Sequence, residues 1–407
     1  MTSQTETDSR YAWFRLLVTM GIAVIANAGM WAIVVIMPAV EAEFGTSRAE
    51  ASLPYTLNMV GFALGNMVLG RALDRFGVTL SLVLAGLGLV AGLFFATLAG
   101  SILVLSAAQL VVGFASAVGF GPLIADISHW FVRKRGIAVA LVASGNYFSG
   151  AIWPMLLAGL LQESGWRAVY GALALVTLLG VIPLAMLLRR SVSEETREAA
   201  QEASSLRART VGLSPRSLSW LLGLAGIGCC VAMSMPQVHI VSYCVELGFG
   251  AVAGAEMLSL MLLGGVGSRI LSGLLADRLG GVRTLLIGSA LQTLALMLYI
   301  PAGGLVSLYL VSLVFGLSQG GIVPSYALIV REYMPAREAG ARVGFVLMAT
   351  IMGMALGGWL SGVIFDLTGS YAWAFINGIA WNGLNVAIML WLLSRSRPRR
   401  APAAQPA

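Results

Sequence analysis

Charge is scarce in this chain: Asp, Glu, Lys and Arg make up 11% of its 407 residues, against about 25% in an ordinary soluble domain. Lysine occurs once, as Lys134, and Arg135 follows it. No G-x-x-x-x-G-K-[ST] phosphate loop can therefore exist, and ATP hydrolysis by this chain is excluded. Histidine occurs twice, as His129 and His239, too far apart for an H-E-x-x-H zinc site. The three cysteines, Cys229, Cys230 and Cys244, fall in one apolar segment. That arrangement is neither a disulfide framework nor a metal-ligand spacing. A soluble enzyme, a disordered chain and a nucleic-acid-binding domain are excluded on composition, and no metal or other cofactor is expected.

What the chain has instead is apolar length. Hydrophobic residues make up 58% and the mean hydropathy is +0.88. Twelve apolar segments can be marked, at roughly 13–40, 51–70, 79–99, 102–124, 137–161, 167–188, 217–244, 252–275, 281–300, 303–328, 340–365 and 371–393. Each has the ~20 residues a membrane helix needs. They are the first to twelfth spans below. The first is too long for the apolar core of a secretory leader, so it is expected to be retained. Glycine, at 49 residues, suits helices that must approach closely in lipid. The polar stretch 189–216 reads as a linker. The expected organisation is a six-helix bundle over 1–188, the linker over 189–216, and a second bundle with its tail over 217–407.

Cations set the orientation. Of 25 Lys and Arg residues, 22 fall on one set of loops together with both termini. Arg48 and Arg167 fall on the other set. The positive-inside rule then puts both termini in the cytoplasm, with the chain multi-pass in the plasma or inner membrane. The net charge of +7 reflects this topology rather than a nucleic-acid partner. The remaining cation, Arg269, lies mid-span in the eighth segment.

The halves repeat. Asp74 in LGRALDRFG recurs as Asp277 in LSGLLADRLGG, 203 residues on. Pro122 in GFGP matches Pro324 in GIVP, and Gly165 in SGWRAVYG matches Gly369 in TGSYAWAF, at nearly the same offset. A duplicated six-span unit is the architecture of many secondary transporters.

Between the second and third spans, Gly70-Arg71-Ala72-Leu73-Asp74-Arg75-Phe76-Gly77 resembles the G-x-L-x-D-R-x-G loop of the major facilitator superfamily. Trp130-Phe131-Val132-Arg133-Lys134-Arg135-Gly136-Ile137-Ala138, then Ser144-Gly145 to Gly150 and Trp153-Pro154, resembles its monocarboxylate and oxalate/formate transporter branch. Gly165-Trp166-Arg167, Val238-His239-Ile240-Val241 and Arg269 add to that likeness. The resemblance implies an all-α membrane protein with twelve transmembrane helices in two pseudo-symmetric six-helix bundles. It also implies alternating-access transport of a small organic monocarboxylate, linked to protons or to a counter-anion. Two features depart from that branch. Gly265 stands where its animal members carry an Asp four residues before the arginine, and the first span has no Lys.

Arg269 costs about 2.5–3.5 kcal/mol at mid-membrane, and its planar fork suits a carboxylate. It is therefore the expected anchor of the substrate. The alternative is an arginine bonded to helix carbonyls or to an internal acid. Every acid, however, lies in a loop, a tail or near a span end. His239 is a candidate for binding or proton handling, since imidazole titrates near neutral pH. Asn27, Asn146, Tyr147, Gln319, Tyr326 and Phe120 are further candidates for the cavity wall. Asn66, Gln237, Ser268 and Phe114 read as helix packing ahead of a place in the cavity wall. His129, beside Trp130, reads as interfacial. Asp74, Arg75, Asp277 and Arg278 are candidate gating residues, because an acid at a helix start pairs with the dipole and with a facing arginine. Membrane lipid is the expected surround and a monomer the expected state. The competing readings are an organic-anion exchanger and an exporter of another small-molecule class.

Overall fold

The computed structural model describes residues 7–131, 134–190, 213–334 and 336–395. Within these helices the side chains of Asp74, Arg135, Asp277 and 336–339 lie outside the described residues. All regular structure in the described residues is helical. Among the described residues, ten helical stretches are long and apolar enough to cross a membrane. One of these, Gly136–Leu187, is two spans joined at Gly165, whose φ of 77° and ψ of 173° break the helix. A further helix, Arg48–Phe76, crosses as the second span. Thr56, Asn58 and Asn66 lower its hydropathy and point into the bundle or across it. The twelve expected spans are thus present.

The expected segments are extended in places, and four spans are broken. The first runs Arg10–Phe44 and breaks at Asn27. The fourth comprises Ile102–Ser116, a short 3-10 turn and Gly121–Trp130. The fifth breaks at Ser144 and the tenth between Gln319 and Ile322. Helices with free backbone groups at membrane depth are tolerated only where protein or a cavity satisfies them. The remaining spans are Val78–Thr97, Pro215–Glu246, Gly250–Leu279, Gly281–Tyr299, Ala336–Thr368 and Tyr371–Arg395.

The repeat seen in sequence is a repeat of backbone. Gly77 and Gly280 each end one span and start the next. Their φ/ψ are 82°/165° and 81°/168°, in a region where a Cβ is strained. Gly165 and Gly369 both have positive φ, and the breaks in the fourth and tenth spans fall just ahead of the matched prolines Pro122 and Pro324.

Leu103, Val306, Trp220 and Leu310 are among many large apolar side chains that stay exposed, as a lipid-facing surface requires. Polar side chains turn inward and join spans. Asn58 donates to Gln109, which donates to the hydroxyl of Tyr170. Asn385 donates to Ser289 and Asn382. Arg15, counted from sequence among the loop cations, is instead fully buried in the first span. It grips Asp126 of the fourth span through Nε and Nη2 at 2.9 and 3.0 Å, and donates to the carbonyls of Leu188 and Arg190.

The second span packs on the eleventh and the fifth on the eighth, across the two halves. Hydrogen bonds between described residues of the two bundles lie at mid-span or at the face away from the termini.

Candidate functional site

Arg269 lies where the eighth span meets the fifth and tenth. Close approach makes this possible. A Cβ at Gly320 would collide with the carbonyl of Gly265. The tenth span therefore lies directly on the eighth, and Nε of Arg269 donates to the Gly320 carbonyl at 3.1 Å. Nη1 reaches the other bundle and donates to the carbonyl of Ala143. That carbonyl ends the helix Arg135–Ala143, ahead of the Ser144 break. The guanidinium carbon sits 4.2 Å from the ring centre of Tyr147, a cation–π contact across the bundle boundary. Among the described residues Arg269 is held by these two carbonyls and by Tyr147. No acid pairs with it among the described residues.

Gly265 explains how Tyr147 reaches the arginine. A Cβ built at Gly265 would stand 3.1 Å from both Cδ2 and Cε2 of Tyr147. The ring fills the space that a side chain at position 265 would need. Asn146, one residue earlier, accepts from Trp31 Nε1 of the first span through its carbonyl and Oδ1, each at 3.0 Å. Trp153 anchors the same span by donating to the Val24 carbonyl at 2.9 Å. The fifth-span motif thus fixes Tyr147 by tying its helix to the first span.

Gln319, adjacent to Gly320, accepts from Nε2 of Gln237 at 2.6 Å. Its own Nε2 is buried with no partner among the described residues. Asn27 sits at the first-span break. Its Nδ2 donates to Ala23, and its Oδ1 is buried and unpartnered among the described residues. Phe120, at the fourth-span break, packs on Phe62 with ring centres 5.8 Å apart. Asn66 holds that break by accepting from the Gly121 N–H.

Two candidates lie in other clusters. Tyr326 donates to Asn385 in a network within the second bundle. His239 is fully buried towards the face away from the termini, between the Gly358 carbonyl at 2.7 Å from Nε2 and the Tyr371 hydroxyl at 3.1 Å from Nδ1. Arg75 and Arg278 are exposed. The side chains of their partners in the motif, Asp74 and Asp277, lie outside the described residues.

Sequence reasoning missed the carbonyls of Ala143 and Gly320. It also missed Trp31 and the tie formed by Arg48, Tyr371 and Asp366. The Ser144-Gly145 and Gln319-Gly320-Gly321 steps were the available signals, since they mark where helices interrupt.

The arrangement offers a cation with no acid partner and a neighbouring amide donor with no acceptor among the described residues, beside aromatic walls. It suits a small anion with an apolar end.

Comparison with known proteins agrees with the fold. Residues 19–346 match the family model described as Major Facilitator Superfamily. Monocarboxylate transporter 13 of Rattus norvegicus is 26% identical over 86% of this chain and 82% of its own length. Monocarboxylate transporter 11 of Homo sapiens is 32% identical over 72% of this chain and 63% of its own length. The MFS-type transporter pynF of Aspergillus niger is 26% identical over 82% of this chain and 76% of its own length. Among solved structures, a bacterial homolog of the human lysosomal transporter Spinster, in an inward-facing and occupied conformation, superposes with a TM-score of 0.67. It is 15% identical and covers 95% of this chain and 96% of that one. With twelve spans in two repeated bundles and a family match over most of its length, the chain is a multi-pass membrane transporter of the major facilitator superfamily.

Proposed function

We propose that this transporter carries small organic monocarboxylates by alternating access, linked to protons, with Arg269 binding the carboxylate. The observation that carries this reading is a buried mid-span arginine shared between the two bundles and paired with no acid among the described residues. A substrate carboxylate can displace the Ala143 carbonyl from Nη1 and bridge to Nη2. Asn146, Tyr147, Gln319, Asn27 and Phe120 form the surrounding wall in this reading.

The bundles over 1–188 and 217–407 rock about this point, joined by 189–216. Both termini are cytoplasmic in the inner or plasma membrane, and the chain acts as a monomer. Asp74 with Arg75 and Asp277 with Arg278 close the cytoplasmic side in the opposite state. A monoanion carried alone would work against about 2.3 kcal/mol per 100 mV of inside-negative potential, and a co-transported proton removes that cost.

A specific observation keeps a second reading open. Gly265 leaves no acid beside Arg269 to carry the proton, which favours exchange for a counter-anion. The similarity to the agnestins efflux protein AgnL12 of Paecilomyces divaricatus, 24% identical, favours the reading of an exporter of another small-molecule class.

Proteoliposomes offered labelled lactate, pyruvate, formate, oxalate and a lipophilic cation separate these. Lactate or pyruvate accumulation driven by an inward pH gradient and abolished by a protonophore supports the proposal. Uptake that requires a luminal counter-anion and ignores the pH gradient replaces it with exchange.

A further inference from the structure

The face away from the termini carries a closed latch between the bundles. Arg48 and Ala49 begin the second span, and their backbone N–H groups donate to the two carboxylate oxygens of Asp366 in the other bundle, at 2.9 and 2.8 Å. The Arg48 guanidinium donates through Nη1 to the Tyr371 hydroxyl at 2.7 Å and through Nε to Glu41 at 3.0 Å. It also lies over the rings of Phe365 and Tyr371. Tyr371 belongs to the second bundle, so its oxygen is a shared point between the bundles. His239 lies directly behind it.

The hydrogen positions follow from counting donors. Arg48 can only donate, so the Tyr371 oxygen accepts from it. The Gly358 carbonyl can only accept, so His239 carries its proton on Nε2. Nδ1 then accepts the Tyr371 O–H. Every group in the chain Arg48–Tyr371–His239–Gly358 is satisfied only while the imidazole is neutral. A proton arriving at Nδ1 turns that nitrogen into a donor. The Tyr371 oxygen would then face two cations, and its own O–H would lose its acceptor.

We infer that His239 is the proton sensor of the outer gate: its protonation breaks the Arg48–Tyr371 contact and releases the latch. This rests on the proton-linked reading above, but it assigns the proton to the gate and not to the substrate site. The titratable and charged groups around the imidazole are Tyr243, Cys244 and Glu246 on its own span, Glu41 and Arg48 at the first-to-second-span turn, and Tyr55 on the second span. Asp366 and Tyr371 face it from the eleventh and twelfth. Glu41 and Asp366 hold Arg48 on the latch. Neither accepts from His239 between described residues, so neither takes up the proton's charge directly.

The test labels the two sides of the latch. Ala42→Cys on the first bundle and Leu367→Cys on the second are exposed positions. With Cys229, Cys230 and Cys244 replaced by alanine, spin labels at these sites report their separation in nanodiscs by pulsed electron resonance. The expected result is a shift to longer distances as the pH is lowered from 8 to 4. His239→Gln, which can still donate to Gly358, should abolish the shift. Tyr371→Phe should give the longer distance at both pH values. An unchanged pH response in His239→Gln overturns the inference. So does a pH-independent distance in the parent while pH-driven uptake persists, and in that case proton linkage itself survives. A distance that responds to pH through His239, in a protein whose uptake ignores the pH gradient, supports the gate and sinks the symport reading.

Discussion

Arg269→Lys keeps a cation at mid-span and removes the fork, which makes it the sharpest perturbation of the proposed site. In the structure the guanidinium spans three directions at once: Nε to Gly320, Nη1 to Ala143, and its face to Tyr147 at 4.2 Å. An ammonium is a point charge and cannot hold Gly320 and a carboxylate in the same plane. The insertion cost hardly changes, because the charge is kept. What is lost at the substrate is one of two charge-assisted hydrogen bonds, each worth about 1.5–3 kcal/mol. At about 1.36 kcal/mol per factor of ten, KM should rise roughly ten- to 150-fold. Initial uptake rates in proteoliposomes over a range of monocarboxylate concentrations measure this directly. The thermal midpoint in detergent shows that the variant still folds. A KM within threefold of the parent would refute the arginine as carboxylate anchor.

Other expectations follow from particular contacts. Asp126→Asn leaves Arg15 buried without its carboxylate and should destabilise the first bundle by about 3–5 kcal/mol, read as a lowered thermal midpoint, while Arg15→Met with Asp126→Leu should recover much of it. Gly265→Asp places an acid one helical turn ahead of Arg269, with its Cβ 3.1 Å from the Tyr147 ring carbons. Above the Asp pKa it should pair with the arginine and compete with substrate. Uptake by this variant should therefore fall at neutral pH and recover as acid protonates the new group, as a pH profile of initial rates will register. A cysteine at Ser394, exposed at the end of the twelfth span, should label only from the cytoplasm, and one at Leu367 only from outside. Reversed labelling in intact cells would overturn the topology.

The spans and the duplication were legible because they are properties of composition and of single residues with special backbones. Gly77 and Gly280 stand at matched positions in sequence and adopt matched φ/ψ in space. Arg269 was legible for a similar reason: one cation in an apolar run is visible without any partner. Arg15 was not, because the acid that buries it lies 111 positions away and periodicity carries no trace of that pairing. The second span was the least apolar by composition, because Asn58 and Asn66 serve the bundle interior rather than lipid. Backbone acceptors were invisible altogether. The carbonyls of Ala143 and Gly320 carry no side-chain signature, and only the helix breaks beside them hint that they are available. His239 showed in sequence as a titratable group in a span. Its place behind Tyr371 depends on the packing of the seventh span against the eleventh and twelfth.

Gly265 and Tyr147 act as one packing unit. A side chain at position 265 and the Tyr147 ring compete for the same volume, since the built Cβ and the ring carbons are 3.1 Å apart. With glycine there, the arginine is stabilised by the quadrupole of a ring from the opposite bundle instead of a charge on its own helix. A ring neutralises nothing, so the guanidinium keeps its full positive charge for an incoming anion. Because the ring and the Ala143 carbonyl both belong to the fifth span, each contact that steadies the empty arginine also ties the bundles together at their centre. On the proposed reading, a carboxylate that replaces the Ala143 carbonyl removes part of that tie as it binds. Occupancy of the site and freedom of the bundles to rock are then two consequences of one exchange of hydrogen-bond acceptors at Arg269.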